Sequence, residues 1–415
     1  MQKLRDVKDP RHQSYIEYPH ELILLVLMMK QATGLKSMRQ MTSVLNTDEV
    51  IKNLGLFLGI DDLEEIPHYD TINDFLEKAH PEDIGEVRYY MIKELIRKKC
   101  FYGQRLNIHG VPYWKIAIDG TGIHTFSKKH CENCLKKEIK NKQTTEVESV
   151  IYYHQVLEAK LVVGDMVFSI ATEFIENKND EVEKQDCELK AFYRLASKVK
   201  KAFPRLNICI LGDSLYACEP VFKVCKENNW EYIFRFKNGR IPTVAKEYSQ
   251  LKELSPENKL NVGQWQMQWV NQIDYHNRQI HLCELEIIRE DSHIKTQTFV
   301  YLTSFIIDKK NVMRIIEAGR SRWKIENEGF NRQKNHRLHI EHINSHNYVA
   351  MKIHYLMAQI TEIIMVLYEL GSDCFKALKK TIKEKSSDLL ESFCREALTD
   401  EDIKRLEIPI KIRFT

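Results

Sequence analysis

The chain has 415 residues, 43% hydrophobic and 29% charged, and 62 Lys and Arg against 59 Asp and Glu leave a formal net charge of +3. That is enough apolar material for a true core in two or three domains, while the longest apolar run, Leu22 to Met29, is far too short to span a bilayer. Ten cysteines scattered through mostly apolar segments exclude a disulfide framework and fit reduced thiols, and the polar start from Met1 to Arg11 is no leader, so a soluble cytoplasmic protein is expected.

The near-neutral total hides basic runs at Lys128 to Lys142, Lys198 to Arg205 and Arg314 to Arg337. Local runs of this kind suit a polyanion partner, although ordinary lysine-rich helix faces account for a share of them.

Residues 1–108 read as an all-α domain. Leu22 to Lys30 is apolar enough to be a buried helix ending at Gly34, and Ser37 caps a second helix with Met38, Met41, Val44 and Leu45 on one face. Two capped helices around a short turn resemble a DNA-binding helix-turn-helix, as many helical bundles do. Further helices are expected from Asp70 through Leu76 and from Ile84 to Lys99.

From Trp114 the period changes. Lys115 to Thr125 is β-like, followed by a polar, lysine-rich connection through Asn141. Val150 to Val163 and Met166 to Phe174 form two strands around the turn at Gly164 and Asp165. Residues 184–202 make an amphipathic helix. Asn207 to Leu211 is a short buried strand, Pro220 to Asn228 a helix and Tyr232 to Phe236 a strand. Three strands, helix, strand, helix, strand is the order of an RNase H-like α/β domain, a mixed sheet flanked by helices, here with a first part at 109–255. Residues 256–308 then read as an inserted antiparallel β subdomain, with strands at Gln264 to Val270, Gln279 to Arg289 and Thr296 to Ser304. The second part of the domain, 309–371, returns to helix and includes the long apolar stretch His346 to Leu370. A helical tail at 372–415 ends in the β-like Ile408 to Phe414.

Two aspartates end β-like runs, Asp119 before Gly120 and Asp213 after Gly212, and Glu326 lies on a basic helical stretch. In an RNase H-like sheet the two aspartate strands are neighbours, and a following helix could bring Glu326 to the same edge. Three carboxylates without histidine or thiol form a hard, oxygen-rich site suited to a pair of Mg²⁺ or Mn²⁺ ions and to in-line phosphodiester chemistry. Arg322 and Lys324 would sit near the scissile phosphate. Arg332, Lys334 and Arg337 would follow the flanking DNA backbone, with Lys237 and Arg240 as weaker phosphate contacts. Trp323 either stacks on an unpaired base or packs its helix on the sheet.

On these residues the chain resembles the DDE transposases of bacterial insertion sequences, in the group with a β-rich insertion between the second aspartate and the glutamate. That group's signature is Tyr-x2-Arg-x3-Glu-x6-Lys. Arg322 and Glu326 match it in spacing, whereas Gly319 stands at the tyrosine position and Gln333 at the lysine position, with Lys334 next to it. The resemblance implies metal coordination by Asp119, Asp213 and Glu326 and a phosphate held by Arg322. Glu328 is a rival ligand, but two residues along an α-helix turn about 200°, so only one of the two glutamates can face the metals.

The implied activity is cut-and-paste transposition. The protein would bind the terminal inverted repeats in double-stranded DNA, cleave the ends and join them to a target, working as at least a homodimer. The alternatives are a non-cutting DNA-binding descendant and an RNase H-like nuclease without strand transfer. A separate motif, His130-Cys131-Glu132-Asn133-Cys134, with His124 and His154 in adjoining segments, could close a structural zinc site or could be two free thiols in a loop.

Overall fold

The computed structural model describes all residues except 142, 145, 178–184, 290–294, 373, 374, 376, 407 and 409–415. The strand expected at the C-terminal end falls almost wholly outside the described residues.

Helices come first: α1 (Gln2–Arg5), α2 (His20–Thr33), α3 (Met38–Leu45), α4 (Asp48–Leu58), α5 (Tyr69–Lys78) and α6 (Pro81–Arg97). Side-chain caps start three of them, with Ser37 accepting from the Gln40 amide, Thr47 from the Val50 amide and His68 from the Asp70 amide. These helices do not close a core of their own. Leu22, Ile23, Met41, Phe75 and Ile84 share one apolar cluster with Ile353, Met357 and Ile360 of a late helix, α12 (Tyr348–Gly371). Gln31 donates to the His354 carbonyl and accepts from Thr361 Oγ1, which fixes α2 on α12 through buried polar groups. Among the described residues α12 is the one helix long and apolar enough to cross a membrane, and 83% of its most apolar window is buried inside the protein.

The sheet comprises β1 (Leu106–Ile108), β2 (Val111–Phe126), β3 (Leu135–Lys140), β4 (Val147–Val163), β5 (Met166–Ile175), β6 (Ile208–Gly212), β7 (Glu231–Phe236), β8 (Lys259–Val262), β9 (Trp265–Tyr275), β10 (Arg278–Arg289) and β11 (Lys295–Thr303). Its order is β3-β4-β2-β6-β7-β11-β10-β9-β8, with β5 also on β4 and β1 on β2. β2 pairs antiparallel with β4, and β4 with β5, whereas β2–β6 and β6–β7 are parallel. The result is a mixed α/β architecture, one mixed sheet with helices against it. On one side α7 (Glu188–Ala202), α8 (Glu219–Asn228) and α9 (Pro242–Leu254) cover Ile116, Ile118, Ile210 and Phe234. On the other, α10 (Val312–Ser321) packs Ile315 and Ile316 against Ala117, Cys209 and Leu211. The short α11 (Arg332–Asn335) precedes α12, and two helices, α13 (Ile382–Arg395) and α14 (Asp400–Leu406), close the described chain.

Two expectations change. The lysine-rich connection after β2 contains a strand, β3, whose residues beyond Leu135 are all exposed. An edge strand with polar side chains has no apolar alternation to betray it. The expected separate β subdomain instead continues the main sheet, because β11 pairs antiparallel with β7 over Val300–Thr303 and so satisfies its open edge.

A buried polar network joins the helical and sheet layers. Arg88 on α6 donates to Ser169 and Thr172 on β5, and both hydroxyls donate to Glu158 on β4. All four residues are buried, so the guanidinium charge is balanced inside the protein.

Candidate functional site

Asp119 and Asp213 meet at one sheet edge. In the parallel β2–β6 pair, Ala117 stands opposite Leu211; Asp119 lies two residues further along β2, and Asp213 follows immediately after the end of β6. Residues two apart on a strand share a face, so both carboxylates fall on the α10 side of the sheet, about one strand spacing apart. Asp119 accepts from the Gly120 amide at 3.0 Å and Asp213 from the Leu215 amide at 2.7 Å, which orients each carboxylate.

Sequence reasoning missed a third acid there. Glu188, the first residue of α7, accepts from Gln155 Nε2 at 2.7 Å and from the buried Tyr216 hydroxyl at 3.3 Å. It comes from the opposite face, over Gly120, where a Cβ would lie 2.5 Å from Glu188 Oε1. Only a residue without a side chain leaves that opening. The one sequence signal for Glu188 was an acidic first turn, which many helices carry.

Arg322, just past α10, donates to Asp119 Oδ2 at 3.0 Å. Burial pushes the Asp119 carboxyl up to about 6; Arg322 opposes this, while the Asp213 and Glu188 carboxylates add to it. Burial likewise raises the Glu188 carboxyl. With its pKa raised above the unfolded value, Asp119 contributes stability below about pH 4 that is lost as pH rises through about 6. Carboxylates gathered on one edge in this way favour a cation. We expect Arg322→Gln to move the Asp119 midpoint further up in a carboxyl-carbon NMR titration; a midpoint that stays put or falls would remove Arg322 as the opposing charge.

Beyond Arg322 the backbone widens into a π-helix at Ile325–Asn331. Ile325, Gly329 and Phe330 are buried, whereas Glu326, Asn327 and Glu328 are exposed. Among the described residues, Asp119, Asp213 and Glu326 do not bring donor atoms within 4.8 Å of one another. Gln333 is buried, accepts from Lys160 Nζ at 3.1 Å and donates to Gln359. At Gly319, a Cβ would stand 2.5 Å from the Tyr301 ring, so an aromatic side chain from β11 already fills the neighbouring space. We expect Gly319→Ala to cost about 1–3 kcal/mol through overpacking, measured as a lowered denaturation midpoint; an unchanged midpoint would mean that Tyr301 moves aside freely.

The basic residues divide. Trp323 is 54% exposed with Arg322 against its ring, and Lys237 and Arg240 are exposed on the turn after β7. Lys324 is held on the β4–β5 turn by the Gly164 carbonyl and Asp165, and Lys334 pairs with Glu341. Arg332 and Arg337 overturn the expectation of a DNA-tracking face. Arg332 pairs with Glu362 and Glu369, and Arg337, its side chain only 1% exposed, pairs with Glu369. Both carboxylates belong to α12, whose burial draws the two cations inward, so neither arginine is available to DNA.

A second constellation lies further along β2. The thiols of Cys131 and Cys134 and Nε2 of His154 lie within 4.8 Å of one another. His130, the imidazole next to the cysteines in sequence, is turned away: its Nε2 lies 2.8 Å from the His346 carbonyl and its ring stacks on Phe126. Of the histidines expected near the two cysteines, His154, which the sheet delivers from β4, joins them, and His130 does not.

Set beside known proteins, the chain matches no protein-family model, and no curated protein matches it in sequence.

Proposed function

We propose that the chain is a metal-dependent DNA strand-cleaving and strand-transferring enzyme of the DDE transposase kind, acting on the ends of an insertion sequence. The observation that carries this reading is the placement of Asp119 near the end of β2 and Asp213 just past the end of its parallel neighbour β6, with Arg322 reaching Asp119 from the far side of the β insertion. The order β5-β4-β2-β6-β7, antiparallel in its first three strands and parallel in the rest, supports an RNase H-like core.

The donor set fits Mg²⁺ or Mn²⁺. It offers carboxylate oxygens only; burial raises the Asp119 pKa and the neighbouring carboxylates add to it, a repulsion that a bound cation would relieve. Such ions, when bound, supply Lewis-acid stabilisation and a nucleophile of lowered pKa. Asp119 and Asp213 are the residues that would hold them, with Glu326 supplied from the π segment. Glu188 keeps the inner wall of the site acidic. Arg322 is positioned to leave Asp119 for a phosphate oxygen once a cation neutralises that carboxylate. The exposed Trp323, Lys237 and Arg240 offer stacking and charge for the strand leaving the site.

The products are a cleaved end, from attack of water on the phosphodiester, and a joined end, from attack of the freed 3′-hydroxyl on target DNA. Two ends joined together call for at least two copies of the chain. The test is a plasmid carrying the element's ends, incubated with purified protein and Mg²⁺. Nicked and joined products are expected. Binding without any Mg²⁺-dependent nicking would assign the chain to non-cutting DNA binders, and nicking without joining to simple nucleases.

A further inference from the structure

The Cys131–Cys134–His154 cluster has the dimensions of a coordination polyhedron. The two sulfurs are 3.6 Å apart, and His154 Nε2 lies 3.5 Å from Cys131 Sγ and 3.7 Å from Cys134 Sγ. A disulfide would bring the sulfurs to about 2.05 Å, so both are thiols. With Zn–S near 2.3 Å and Zn–N near 2.0–2.1 Å, a tetrahedral zinc site has an S···S edge of about 3.8 Å and an S···N edge of about 3.6 Å. All three observed edges fall within about 0.2 Å of those values.

A fourth donor stands alongside. His124 is directly opposite His154 across the β2–β4 pair, on the same face of the sheet. The two rings are perpendicular with centroids 6.3 Å apart. Both imidazoles are buried, and Nδ1 of each has no hydrogen-bond partner. The His124 ring is already hydrogen-bonded to the backbone of His342, an outer contact of the kind that fixes a ligating imidazole. Two imidazoles on one tetrahedral ion have centroids about 5 Å apart, and His124 stands outside the 4.8 Å grouping of the other three donors, so its ring must move inward by more than about 1 Å to complete the shell.

We propose that Cys131 Sγ, Cys134 Sγ and His154 Nε2, closed by His124, form a structural zinc site that clips the loop after β2 onto the β2–β4 pair. Each thiol gives up its proton on ligation, so two protons leave for every zinc ion bound. The ligands are two thiolates and two neutral imidazoles, which suits zinc and not Mg²⁺. His124 lies five positions after Asp119 on β2, about 17 Å of extended strand. The site is therefore distinct from the carboxylate edge and stands whether or not the proposed DNA chemistry does. Phe126 lies 5.7 Å and Tyr348 4.6 Å from the His154 ring, centroid to centroid, giving the cluster an aromatic wall.

The test is metal content of the full chain purified without chelator and dialysed exhaustively. About one zinc ion per chain is expected, and replacement by Co²⁺ should give a thiolate-to-cobalt charge-transfer band and the strong visible absorption of a tetrahedral ion. Cys131→Ser, Cys134→Ser and His154→Gln should each lose the zinc, His124→Gln should weaken its retention against a chelator, and His130→Ala and Asp119→Asn should keep it. Should the cysteine variants fail to fold, the wild-type chain still decides: thiols that react with a disulfide reagent only after zinc is removed support the site. A zinc-free chain whose two thiols react at once overturns it, and so does a folded cysteine variant that retains the full complement of zinc.

Discussion

Asp213→Asn will abolish Mg²⁺-dependent cleavage, by at least ~10³-fold or about 4 kcal/mol of barrier, without lowering the melting temperature. Both halves follow from its place in the cluster. Asparagine keeps the oxygen that accepts from the Leu215 amide, so the local turn survives. What disappears is one negative charge beside Asp119, whose carboxyl Asp213 helps to push up. Removing a like charge from a crowded acidic edge relaxes the fold while taking away an oxygen needed to hold a cation. The proposed DNA binding, which would depend on cations elsewhere, should change little at fixed salt. Asp119→Asn and Glu326→Gln should lose cleavage as fully, whereas Glu328→Gln should retain it. Asp119→Asn is the less clean test, because it also releases Arg322 from its ion pair. Wild-type cleavage by Asp213→Asn would sink the proposed chemistry.

Glu369→Gln should be the most damaging single change to stability, about 3–5 kcal/mol. Glu369 on α12 faces both Arg332 and Arg337, and its side chain is only 2% exposed. With the carboxylate gone, Arg337 is left buried with a charge and no anion of its own, and Arg332 falls back on Glu362, 2.7 Å away. These residues pin the chain after the π segment to the long apolar helix, so the loss should appear as a lower denaturant midpoint with the slope unchanged. A cost below about 1 kcal/mol would mean that water reaches the guanidinium groups and the cluster is not dry.

The main strands and helices of the α/β region were legible because their patterns are strong. The β-like run expected at Met166 to Phe174 is β5 (Met166–Ile175), and the buried run expected at Asn207 to Leu211 is β6 (Ile208–Gly212). Polar segments were less legible. β3 exposes nearly every side chain, and α9 and α4 gave no separate signal. For the site, the strands that deliver Asp119 and Asp213 could be read, because each aspartate follows an apolar run. Glu188 could not, since its approach depends on a missing side chain at Gly120, which is a matter of three-dimensional clearance. Charge alone misled at Arg332 and Arg337. A basic stretch reads as a DNA face until the acids on a distant helix are seen, and Glu362 and Glu369 lie 25 or more residues further along the chain. Within the Cys-x2-Cys motif only the adjoining His130 misled, since the nearest histidine in sequence is not the nearest in space, whereas His154 was among the histidines read there.

The widened turn at Ile325–Asn331 changes what a residue count means. On an ordinary α-helix each residue advances the azimuth by about 100°. Where hydrogen bonds run five residues back, the advance falls to roughly 80°. Over the six steps of this stretch the accumulated lag approaches about a third of a turn, so a motif tallied in letters and the same motif laid out on an ideal helical wheel point different side chains at the sheet. Any one-residue insertion or deletion here would re-aim Glu326 relative to Phe330. The spacing between Arg322 and Glu326 is in that sense a directional setting of the backbone, and length variants of this turn would swing the glutamate as surely as replacing it.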